Sequence, residues 1–94
     1  MDKSIKKLTD RIALVQKQIK AVLPLVSREI EEIINERIDD SNRIEHLLDK
    51  LLDFSMLGVG QEDFHKLNGY YSSIDKTASQ FYAEEYLKLE SSTY

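Results

Sequence analysis

The chain has 94 residues, with 13 Lys and Arg against 17 Asp and Glu, one proline, three glycines and no cysteine. That length suits one compact domain and excludes the larger folds, such as paired βαβ dinucleotide-binding halves or a barrel enzyme. The absence of cysteine removes disulfides, thiolate metal sites and thiol nucleophiles together, and a formal net charge of −4 argues against a dedicated nucleic-acid binder, which usually carries a basic excess.

The first seven residues are charged and lead into no apolar core, so no export signal is visible. No charge-free run approaches the ~20 residues that cross a bilayer. The expectation is a soluble, cytoplasmic chain without a membrane span. Few glycines and prolines, and no lasting alternation of apolar and polar residues, point to an all-α fold: a small antiparallel bundle of three or four helices.

From Ile5 the apolar residues recur in alternating steps of three and four: Ile5, Leu8, Ile12, Val15, Ile19, Val22 and Val26. This is a heptad seam of the coiled-coil type, and it predicts a first helix over 3–23. Pro24 lacks an amide hydrogen and disfavours a helical residue before it, so the helix is expected to end or kink there. A second helix over 25–38 then starts on the proline, and its stripe of Val26, Ile30, Ile33, Ile34 and Ile38 departs from the strict repeat.

Asp39, Asp40, Ser41 and Asn42 favour a break with a helix start, followed by a helix over 41–57 with Ile44, Leu47, Leu48, Leu51 and Leu52 on one stripe. One continuous helix from Pro24 to about Met56 is the alternative. Gly58-Val59-Gly60 ends that segment. Phe64, Leu67, Tyr71, Ile74, Ala78 and Phe81 then restore helical spacing without a shift, even through Gly69, and predict one helix over 61–90. Residues 91–94 read as a frayed tail.

The chain offers little to catalysis. Glu62 and His65 have the spacing of half a carboxylate-bridged metal site, but such a centre needs a second Glu-x-x-His, and His46 follows Asn42 and Arg43 instead. Gly58-x-Gly60 lacks the third glycine and the preceding strand of a dinucleotide loop. Neither histidine neighbours an activated serine. The reading is therefore of a non-enzyme with no metal or cofactor.

Charge is uneven along the chain. Residues 1–20 carry six basic and two acidic side chains (+4), residues 21–60 four and nine (−5), and residues 61–94 three and six (−3). Lys3, Lys6, Lys7, Arg11, Lys17 and Lys20 are candidate phosphate contacts for a nucleic-acid accessory protein. The same cations also read as a solvated face that pairs with the acidic middle segment, within the chain or in a partner subunit. Stacking aromatics are absent beside them, which favours the second reading. In the aromatic-rich last third, Phe64, Tyr71 and Phe81 fall on the core stripe. Tyr70, Tyr82 and Tyr86 fall beside it, as the core's edge or as a partner surface.

A ridge of this length cannot easily be hidden against one neighbour spanning 41–57. The expectation is a homodimer in which the first helices meet across the axis and the hairpin of residues 41–90 packs on them. Function then reads as a small protein–protein interaction or regulatory module. A nucleic-acid accessory protein, or an inhibitor or immunity-type protein, are the alternatives.

Overall fold

The computed structural model describes residues 3–91, with side chains described over 6–89. Among the described residues the chain is four α-helices without a strand: α1 (Lys3–Asn35), α2 (Ser41–Met56), α3 (Gln61–Tyr71) and α4 (Lys76–Ser91). The expected all-α bundle with a long N-terminal helix is the fold. Of the tail expected at 91–94, Ser91 closes α4 and the rest lies outside the described residues, as does the side chain of Ile5.

Two helix boundaries differ from the sequence-based expectation. α1 runs through Pro24 without ending, so the separate helices over 3–23 and 25–38 are one. Proline removes one intrahelical hydrogen bond at a cost of about 3 kcal/mol, and here the loss falls on the solvent side. Pro24 is exposed, so the Lys20 carbonyl that it leaves unpaired faces water. On the opposite side Val26, Ile30 and Ile33 are buried and Leu23 packs against the core, which holds the helix together across the defect.

The expected helix over 61–90 is two helices. α3 closes at Tyr71 through Ser73 N–H→Tyr70 O (3.0 Å) and Ile74 N–H→Tyr71 O (2.9 Å). The hydroxyls of Ser72 and Ser73 donate to the carbonyls of Gly69 and Tyr70, the competition by which serine loosens a helix end. Asp75 then opens α4, its Oδ1 accepting the Ala78 N–H at 3.0 Å. The turn is so tight that Tyr71, Ile74 and Ala78 still face inward, which is why the stripe reads unbroken. Past the turn the register shifts: Phe81 is exposed, contrary to its expected core position, while Tyr82 and Tyr86 are buried.

α1 ends in a Schellman arrangement, with Ile38 N–H→Ile33 O at 2.9 Å and Arg37 N–H→Ile34 O at 3.3 Å. Arg37 takes the left-handed position at φ 52°, where glycine is usual. Asp40 caps α2, accepting the Arg43 N–H. α2 ends in the same Schellman pattern, Val59 N–H→Phe54 O and Gly58 N–H→Ser55 O, now with glycine at φ 77°. Gly60, at φ 84°, also lies where a Cβ would come within 3.2 Å of Leu51 Cδ2 and 3.6 Å of Leu23 Cδ1, so the chain turns close against α1 and α2.

α2 and α3 form the central pair, and α1 and α4 each pack on both of them but not on each other. The core joins Val26, Ile30 and Ile33 to Ile44, Leu47, Leu48 and Leu51, and these to Phe64, Leu67, Tyr71, Tyr82 and Tyr86. The molecule measures 52 × 27 × 18 Å. Its long axis is that of α1, whose 33 residues span about 50 Å at 1.5 Å per residue. α2 reaches only about half as far, so the N-terminal half of α1 extends beyond the bundle.

Candidate functional site

The bundle ends where the connection between α2 and α3 meets α1. There the Gln16 side-chain amide donates to Leu57 O at 2.7 Å, and Leu23 sits beside Gly60. Beyond that point the heptad seam continues with none of the described residues packed over it. Leu8 is 60% exposed, Ile12 43% and Val15 40%, and Val22, on the bundle side of that point, is still 44% exposed. Ile19 is half-buried, and only Val26 of the seam is in the core.

At 100° per residue, Leu8, Ile12, Val15, Ile19 and Val22 lie within about 80° of the core-facing Val26, Ile30 and Ile33. One apolar face therefore runs the described length of α1, covered by the chain's own bundle over its C-terminal half only. Leu14 and Leu25, 56% and 64% exposed, lie off it, on the side of Lys7 and Arg11. Sequence reasoning passed over these two because they fall outside the heptad's first and fourth positions, although their apolar character was in view.

The cations of α1 lie off this face. Lys6, Lys7, Arg11, Lys17 and Lys20 are all exposed, and among the described residues none is in an ion pair with the acidic middle segment; the side chain of Lys3 lies outside them. The ion pairs form elsewhere: Arg43 with Glu29 (3.8 Å) and Glu32 (3.6 Å), Lys66 with Glu31, and Lys88 with Glu85 (3.0 Å).

The tyrosines pack at the edge of the core, the first of the two expectations for them. Tyr82 and Tyr86 are buried, with Tyr86 stacked on Phe64 at 5.0 Å between ring centroids. The Tyr82 hydroxyl donates to Asp49 Oδ1 at 2.9 Å, and that of half-buried Tyr70 to Ile38 O at 2.8 Å. Tyr82 thus bonds to α2 and Tyr70 to the connection between α1 and α2, so the residues fasten α3 and α4 to the bundle. Tyr71, wholly buried, donates to Glu45. Burial, reinforced by these carboxylate acceptors, raises the phenols of Tyr71 and Tyr82 above their ordinary range.

Glu62 and His65 are exposed on the first turns of α3, and the His65 ring lies edge-on to Tyr86 at 4.5 Å. His46 is exposed on α2. Among the described residues no group of three or more His, Asp or Glu side chains is placed to hold a metal ion, and no helix is long and apolar enough to cross a membrane. Compared with protein-family models, curated proteins and solved structures, the chain matches none of them.

Proposed function

We propose that this chain is a small protein–protein interaction module that works by binding and self-associates through the uncovered N-terminal half of α1. The observation that carries the reading is the continuity of the apolar face: the side chains that seal the core at Val26, Ile30 and Ile33 continue, in phase, as the half-exposed Leu8, Ile12, Val15 and Val22. Exposed apolar residues are ordinary one by one, whereas an aligned ridge marks a contact surface.

The seam is also suited to its own kind. Its flanking positions hold Thr9, Gln16 and Gln18 with Arg11 as the one charge, so two copies meet without rows of like charge across the contact. Each half-exposed seam side chain gains about 1 kcal/mol on full burial. Four per copy set a gross gain of about 8 kcal/mol before the cost of association is subtracted, which places the dimer in a dilution-sensitive range.

Sedimentation across a concentration series tests the reading. The chain should move from monomer to dimer, and the double variant Leu8→Asp, Val15→Asp should remain a monomer. Neither side chain belongs to the core cluster, so the variant keeps its folded core. A wild-type monomer even at millimolar concentration, or a variant that dimerises as well as wild type, contradicts it.

A further inference from the structure

Given self-association through α1, as proposed above, we infer that the two copies pair antiparallel, each N-terminal half lying along the seam of the other and ending against the other's bundle. One observation fixes the direction.

It is steric. The seam and the core-facing stripe are one face of one helix, and the bundle of α2, α3 and α4 occupies the C-terminal half of that face. Were two copies to run parallel, both bundles would sit at the same height between the two α1 axes. They would hold those axes apart, well beyond the 8–10 Å at which helices interlock. Run antiparallel, the bundles fall at opposite ends and the two exposed halves meet in the middle. In that direction Ile12 and Ile19 of one copy stand opposite Val15 and Leu8 of the other. Every such pair sums to the same residue number, so the first and fourth heptad positions alternate in register.

The chain has no cysteine, so a single Glu36→Cys substitution at the exposed far end of α1 places one nitroxide per copy, away from the seam. Pulsed electron–electron distance measurement on the dimer should give about 65–80 Å, from the 1.5 Å rise per residue; a separation below about 40 Å overturns the antiparallel arrangement. Small-angle scattering of the unlabelled chain provides a second readout. The largest dimension should rise well above the 52 Å of one copy, and a dimer no longer than that overturns the inference. The mass measured on the same samples separates the two ideas: a dimer with a short label distance refutes the direction alone, while a monomer refutes self-association and the direction with it.

Discussion

Gly69 lies inside α3 with nothing within 4 Å of where its Cβ would be, so the residue is neither a tight contact nor a turn. It carries only the entropic cost of glycine in a helix. Gly69→Ala should raise unfolding stability by about 0.5–1 kcal/mol, read as a higher urea midpoint at constant slope; a lower midpoint would mean that the position is packed. Tyr71 and Tyr82 make a prediction of opposite sign. Both phenols have folded-state pKa values above the ordinary value of about 10, because burial and the Glu45 and Asp49 acceptors disfavour the phenolate. Below pH 10 the phenols are neutral in folded and unfolded chains, and their contribution is constant. Above it the unfolded chain ionises first, so stability falls as pH climbs toward the folded values. Denaturation followed at pH 8, 10 and 11 should show that loss, and a midpoint unchanged to pH 11 would contradict it.

At the scale of helices, what was legible in the sequence depended on whether a signal was local or relational. The break at residue 40 and the turn at Gly58-Val59-Gly60 were legible because Asp40 caps its own helix and Gly58 supplies its own left-handed conformation. Pro24 misled for the opposite reason: what sustains α1 across it is burial of Leu23, Val26 and Ile30 against distant residues, which no window around the proline contains. The end of α3 escaped notice because Tyr71, Ile74 and Ala78 keep helical spacing through a turn. Yet its signals were present in Ser72, Ser73 and Asp75, a cluster that ends one helix and caps the next. The same hidden turn sent Phe81 outward and Tyr82 and Tyr86 inward. Asp75→Ala removes the cap of α4 and should cost about 1 kcal/mol, seen in the same denaturation experiment. Asp75→Asn, which can still accept the Ala78 N–H, should restore most of it. Equal losses in both variants would assign the effect to charge instead.

For the molecule as a whole, the governing fact is a mismatch of lengths. α1 spans about 50 Å, while its own bundle covers the C-terminal half of its apolar face. The seam itself was legible residue by residue, because heptad spacing is a property of one helix. How much of it the chain would cover was not, since that depended on where α2 begins and turns back. A helical stretch of about fifteen residues without tertiary contacts is marginal in water. The exposed half of α1 is therefore expected to hold its helix through the contact with a second copy. Amide hydrogen exchange along α1 across a dilution series tests this most directly. The account predicts that amides of residues 8–19 lose protection as the chain is diluted, while those of residues 26–35, fixed by the core, keep theirs. Protection over residues 8–19 that is the same at every concentration would contradict it.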